Sequence, residues 1–287
     1  PEFSEAALQV LDRFNAEQLP GGSWSAQYFG SGACPSPDGV PPASDNLADV
    51  GCMALCLTVA RPLVDAERGD RYLAAARRYA DGVVLPNQLE SGAFPNLRFR
   101  GEEQRSAYTV ATASQITNLA GLYAVTGEAA YRAALERATL FLVLELEAEG
   151  SVQFHAPDRE RVGTMATVDL GDLFYVAEAL IWAARFAGPD MASVAEGGLR
   201  VFLEGERGLL KAVADPSWWS TEDAWEASKR AGLLYLLVQA DAGKTRAVLR
   251  PAKERALRVL AGAERAALGI GADPALPRGM CALAASA

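Results

Sequence analysis

Residues 72–80 read Tyr72-Leu73-Ala74-Ala75-Ala76-Arg77-Arg78-Tyr79-Ala80, and the segment they open closes on Ser91-Gly92-Ala93-Phe94. Alanine, leucine and arginine are strong helix formers. Their order puts apolar side chains on one face and guanidinium groups on the other, as in a helix with one wet side. A small-residue turn and an aromatic then end it. The same succession returns at a spacing of roughly 60–70 residues, the sequence sign of a repeat architecture. Its other turns are Gly21-Gly22-Ser23-Trp24, Glu149-Gly150-Ser151-Val152 and Pro216-Ser217-Trp218-Trp219.

Outward from that stretch, apolar residues keep the helical spacing i, i+3, i+4, i+7 along most of the chain. The pattern predicts helices near 4–19, 44–61, 70–90, 106–126, 129–149, 166–187, 190–213, 220–240 and 246–267, with a short tenth after Pro277. Alternating Val/Ile/Thr runs, the mark of strands, are nearly absent. Ser44-Asp45-Asn46 offers an N-cap, and Ser220 with Asp223 resembles a capping box. Gly127, Gly188 and Gly243 follow apolar runs, where a left-handed C-cap is expected. The helices alternate in character. Those at 4–19, 70–90, 129–149, 190–213 and 246–267 are amphipathic, while the intervening ones, such as Leu170 to Ala184, carry few charges. An outer helix keeps one wet face and an inner one is covered nearly all round, so the chain reads as outer–inner hairpins, five of them.

This pattern, carried best by Tyr72 to Phe94 and Tyr131 to Phe154, resembles the α/α-toroid superfolds. These are the six-hairpin glycosidases, related polysaccharide lyases and epimerases, and the terpenoid cyclase and prenyltransferase toroids. The resemblance is architectural and covers most of the chain. It implies an all-α fold, an α/α barrel (toroid) of about five to six helical hairpins, incomplete or open if the sixth is missing. Pro1-Glu2-Phe3 reads as a cloning scar, which leaves 4–287 as a single toroid domain.

Composition narrows the function classes. Of 287 residues, 50% are hydrophobic and 22% charged, enough apolar side chain for a large core. Lys+Arg number 27 against 36 Asp+Glu, a formal charge of -9, which speaks against a nucleic-acid partner. No apolar run is long enough to span a bilayer, so no membrane is expected. The single histidine, His155, removes any His-rich metal site. Cys34, Cys52, Cys56 and Cys281 form no zinc framework. Cys52 and Cys56, four apart on one helix face, read as small buried hydrophobes. No metal and no cofactor are expected, and the cysteine usage fits a reducing, cytoplasmic compartment. The oligomeric state is left open.

Loop lengths choose an end of the barrel. Inner-to-outer connections are short, as at Gly127-Glu128, whereas outer-to-inner connections are long: Pro20 to Ala43, Gly92 to Arg105 and Gly150 to Met165. Long loops held on a rigid scaffold tend to carry function. The expected substrate-binding residues there are Trp24, Tyr28, Phe94, Tyr108, Trp218, Trp219 and Trp225, with Asp45, Asp49, Arg98 and His155. Flat aromatics with carboxylates suit a sugar ring. Asp169 and Asp172, three apart, and Glu222 and Glu226, four apart, put two carboxylates each on one helix face. Mutual repulsion would raise one pKa of a pair, the route to an acid/base couple, and these four are the expected catalytic residues. Each feature has a plainer reading. The turn aromatics would plug gaps between hairpins, Asp45, Asp169 and Glu222 would cap helices, and His155 would be a surface loop residue.

The expectation is a carbohydrate-active enzyme, a hydrolase or lyase, acting on a small-molecule or oligosaccharide substrate through carboxylates. A cofactor-independent cyclase of terpenoid or polyketide type is the alternative, although the Asp-x-Asp-Asp motif of class II terpene cyclases is absent. A non-catalytic binding scaffold is a third reading.

Overall fold

The computed structural model describes residues 2–25, 47–95, 98–99, 102–103, 106–149, 153–156, 159–162, 170–205 and 208–209. Among these the chain forms seven α-helices: α1 (Glu2–Ala16), α2 (Leu47–Ala60), α3 (Ala66–Tyr79), α4 (Thr109–Thr126), α5 (Ala129–Glu149), α6 (Leu170–Phe186) and α7 (Pro189–Glu204). The helices expected over 220–240, 246–267 and after Pro277 lie outside the described residues. Four short strands punctuate the loops: β1 (Arg98–Phe99) with β2 (Glu102–Glu103), and β3 (Gln153–Ala156) with β4 (Arg159–Val162). The first pair is antiparallel, with Arg98 opposite Glu103 and Phe99 opposite Glu102. Two to four residues are too few to show a period-2 pattern, so strand signals were not visible in the sequence.

Local chemistry explains the helix ends. α3 starts four residues earlier than its periodicity suggests, because Asp65 is an N-cap whose side chain accepts from the Arg68 N–H at 2.9 Å. Past Tyr79 the chain keeps winding through a π-turn over Ala80–Val84 and a 3-10 turn over Leu85–Asn87. Gly127 closes α4 in the left-handed conformation, φ 70°, its N–H donating to Tyr123 O at 2.8 Å. Gly188 departs from the expected C-cap. At φ 92°, ψ 165° it is the N-cap of α7, because Pro189 begins that helix and bars the helical region to the residue before it. Gly243 lies outside the described residues.

The chain divides into two compact units, Pro1–Leu142 with Phe154–Glu160, and Val143–Gln153 with Arg161–Ala287. In the first, α3 is joined to α1 and α5 to α3 by the same device. Gln18 Nε2 donates to Gly22 O and to Ala75 O, both at 2.7 Å, and Arg78 Nε donates to Gln18 Oε1 at 2.8 Å. One repeat later Gln88 Nε2 donates to Gly92 O at 2.9 Å and to Ala134 O at 2.8 Å, and Arg137 donates to Gln88 Oε1. A phenol completes each copy: the Tyr72 hydroxyl donates to Asp12 at 2.7 Å and that of Tyr131 to Asp81 at 2.9 Å. Burial and the adjoining carboxylate push both phenols up, Tyr131 to about 12. Arg68 holds the Asp12 carboxyl below its usual range. Asp12 and Gln18 are six apart, Asp81 and Gln88 seven. The π-turn at Ala80–Val84 absorbs the extra residue.

The core of the first unit sits on α4. Every residue from Thr109 to Leu122 is buried, and α2 packs along it. Six of those residues are polar, and two of them, Ser114 and Gln115, clamp α4 to the first turn of α2, with Asn118 bracing Gln115. Gln115 Nε2 donates to Leu47 O at 2.6 Å and to the Tyr79 hydroxyl at 3.1 Å, Ser114 Oγ donates to Ala48 O, and Asn118 Nδ2 donates to Gln115 Oε1 at 3.1 Å. Gly51 makes this approach possible. A Cβ there would stand 2.4 Å from Ser114 Oγ and 2.5 Å from Gln115 Nε2. Gly51→Ala is therefore expected to lower stability by about 1–3 kcal/mol in urea unfolding, the usual range for overpacking a tight core. Ser114→Ala in the same chain should recover part of the loss; strictly additive effects would show that the crowding lies elsewhere.

In the second unit α6 packs on α7. Leu173, Val176, Ala177, Leu180 and Ala184 are buried on α6. Gly198 of α7 leaves room for Leu180 and Val143, whose methyl carbons would stand 3.3 Å and 2.6 Å from a Cβ at that position.

Candidate functional site

The turn aromatics lead inward. Trp24 is fully buried, stacked on Phe14 with ring centroids 4.0 Å apart, and its indole N–H donates to Phe14 O at 2.6 Å. It also meets Tyr79 of α3 at 5.6 Å, so it fills the space between α1 and α3. Phe94 is equally buried. Its N–H donates to Thr112 Oγ1 at 2.9 Å, and its carbonyl accepts from the Tyr108 N–H at 2.9 Å. The substrate-binding role expected of Trp24 and Phe94 is therefore corrected to packing. A side chain with no exposed surface presents no face to a sugar; Trp24 packs between α1 and α3, and Phe94 is held at the start of α4. Tyr108, half-buried, precedes the first residue of α4, and its carbonyl accepts from Thr112 N–H and Oγ1–H, each at 2.9 Å. Phe94 and Tyr108 are thus brought together at the α4 N-terminus. Asp49 is half-buried in the first turn of α2.

Of the remaining expected residues, Arg98 lies on β1, His155 on β3 and Asp172 in the first turn of α6. Tyr28, Asp45, Asp169, Trp218, Trp219, Glu222, Trp225 and Glu226 fall outside the described residues, and with them the pairings of Asp169 with Asp172 and of Glu222 with Glu226.

The chemistry that stands out is on α6, at a residue the sequence reading passed over. Phe174, Glu178 and Trp182 follow at four-residue steps, with Tyr175 and Phe186 beside them. All five are half-buried, between the buried face of α6 and solvent. The Trp182 and Phe186 rings are 5.2 Å apart and tilted by 41°. Glu178 is the only acidic residue between Leu173 and Phe186. Burial among these neighbours pushes its carboxyl up to about 7. A carboxylate removed from water loses hydration that apolar neighbours do not replace, so the neutral acid is favoured. No hydrogen bond or ion pair reaches Glu178 among the described residues. A signal was present in the sequence: a lone acid in the middle of an apolar, aromatic-bearing helix has no helix end to cap and no cation on its own helix nearer than Arg185, seven residues or about two turns on.

A group with a pKa near 7 exists in both protonation states at neutral pH, the condition for efficient proton transfer. Among the described residues no three or more His, Cys, Asp or Glu side chains lie close enough together to hold a metal ion. No described helix is long and apolar enough to cross a membrane. Comparison with protein-family models, with curated proteins and with solved structures finds no match for this chain.

Proposed function

We propose that this chain is a carbohydrate-active enzyme, a hydrolase or lyase, built as an α/α toroid of outer–inner hairpins, with Glu178 as its proton donor. The observation that supports the reading is the Glu178 carboxyl itself: neutral in part at pH 7, half-open to solvent and flanked by Phe174, Tyr175 and Trp182. Protonation of a glycosidic oxygen needs an acid whose pKa has been raised, and aromatic faces supply stacking for the ring. Asp172, six residues toward the N-terminus of the same helix, is the residue proposed as second carboxylate; at helical geometry its backbone stands about 9 Å away along the axis and about 120° round it. The interior pairing of α2 with α4 and the repeated joint between α1, α3 and α5 support the hairpin arrangement.

The test is turnover on a panel of neutral oligosaccharides and uronate-containing polysaccharides. New reducing ends report hydrolysis, and an unsaturated uronide chromophore reports elimination. On any substrate the wild type consumes, Glu178→Gln should reduce kcat about 10²–10⁴-fold, the usual contribution of general acid catalysis. Asp172→Asn should also impair turnover. Full activity of Glu178→Gln would remove Glu178 from the mechanism.

The same aromatic stripe gives the second reading its support. A protonated acid beside Tyr and Trp faces can start a cationic cyclisation and stabilise its intermediates. Conversion of a polyene to a cyclic product of equal mass, with no saccharide consumed, would favour that reading.

A further inference from the structure

We propose that Cys52 and Cys56 form a two-thiolate chelate for a soft, two-coordinate monovalent cation of the Cu(I) type on the open stripe of α2. The reading of these cysteines as buried hydrophobes does not hold: Cys56 is exposed and Cys52 half-buried, and neither is in a disulfide. α2 turns Leu47, Val50, Gly51, Ala54, Leu55, Leu57 and Thr58 into the core. What remains at the helical spacing is Asp49, Cys52, Met53, Cys56 and Val59.

Residues four apart on a helix have Cβ atoms about 5–6 Å apart. A disulfide needs about 3.5–4.5 Å, so this pair resists direct oxidation to an internal disulfide. An ion between the sulfurs removes the conflict, since the bridge then runs through two metal–sulfur bonds, about 2.3 Å each where the metal is zinc, in place of one S–S bond of about 2 Å. With no cluster of three ligands among the described residues, zinc, which wants four, is poorly served. Cations that accept two thiolates are not, and the Met53 thioether beside the pair is a further soft donor. Within α2 itself Asp49 is the only charged residue. The Cys52 sulfur lies 3.7 Å from Ser114 Oγ at the inner edge of the stripe, and exposed Cys56 gives the ion access from solvent. Binding replaces two S–H bonds by two S–metal bonds. Both protons go to solvent, so affinity rises with pH, and no electron is transferred.

The test is anaerobic competition by the reduced full chain against the coloured Cu(I)–bicinchoninate complex. Wild type and Cys34→Ser/Cys281→Ser should each withdraw one equivalent of Cu(I). Cys52→Ser and Cys56→Ser should each bind at least about 100-fold more weakly, the lower bound for two linked ligands acting on one ion. Cys56 is exposed, so Cys56→Ser is expected to keep the wild-type helical circular dichroism. Wild-type affinity in either single variant, no withdrawal by the wild type, or loss of binding in Cys34→Ser/Cys281→Ser would overturn the proposal.

Discussion

Alanine at Gly22 or at Gly92 should destabilise the first unit by about 2–6 kcal/mol, far more than any neighbouring surface change. Both glycines sit at positive φ, 90° and 92°, in the turns that follow α1 and the helical segment of α3. A residue with a Cβ held in such a sparsely populated region is strained by roughly 1–3 kcal/mol. Crowding adds to that. The new Cβ would stand 2.3 Å from Arg78 O at Gly22 and 2.4 Å from Arg137 O at Gly92. These are backbone oxygens inside α3 and α5, so no flexible side chain can swing aside, and overpacking of this kind typically contributes about 1–3 kcal/mol more. The same turns carry the hydrogen bonds of Gln18 to α3 and of Gln88 to α5, so a shifted turn also loses those. Gly21→Ala is the control: a Cβ there meets nothing within 4 Å, and it should change stability by less than about 0.5 kcal/mol. Urea midpoints for the three variants decide the matter. If Gly22→Ala proves as mild as Gly21→Ala, the close approach of turn and helix is wrong.

The glycine-plus-aromatic turn was legible in the sequence because its parts are adjacent: Gly21-Gly22-Ser23-Trp24 and Ser91-Gly92-Ala93-Phe94 stand out as words. The joint built around it was not. Its members, Gln18 with Ala75 and Arg78, and Gln88 with Ala134 and Arg137, are tens of residues apart, and one pairing is shifted by a residue through the π-turn at Ala80–Val84. Helix character was readable from periodicity alone for α4 and α5, whose predicted and observed spans agree within three residues. Exposure was not, since Trp24 and Cys56 look alike to any scale that ranks them as hydrophobic, yet one is sealed in the core and the other open. The carboxylates expected at the candidate site stand near helix starts, where carboxylates are common because they satisfy free N–H groups. Glu178 has no such local duty. Its character comes from how much water its neighbours exclude, which depends on packing.

Removing the Glu178 charge should therefore stabilise the protein at neutral and alkaline pH and do little in acid. The carboxyl has a pKa of about 7 in the folded chain against an ordinary 4.5. The folded state holds this proton more tightly than the unfolded one. Its contribution is fully present below about pH 4.5 and is lost as the pH rises through about 7. A difference of that size corresponds to about 3 kcal/mol at 1.36 kcal/mol per pH unit. Glutamine keeps the shape and a polar amide but has no proton to lose, so its stability should be flat over this window. The gap between Glu178→Gln and wild type should open by about 3 kcal/mol between pH 4.5 and pH 8, the variant being the more stable at the upper end. Urea unfolding of both proteins at half-unit steps of pH measures the gap directly. Because other carboxylates, Asp12 among them with its lowered pKa, titrate alike in the two proteins, the difference isolates the one at Glu178. Parallel profiles would mean that Glu178 is well hydrated, and its candidacy as an acid at neutral pH would fall with that result. A widening gap together with loss of turnover in the same variant is the pattern of a group that weakens the fold in order to act as a proton donor, since few structural side chains combine the two.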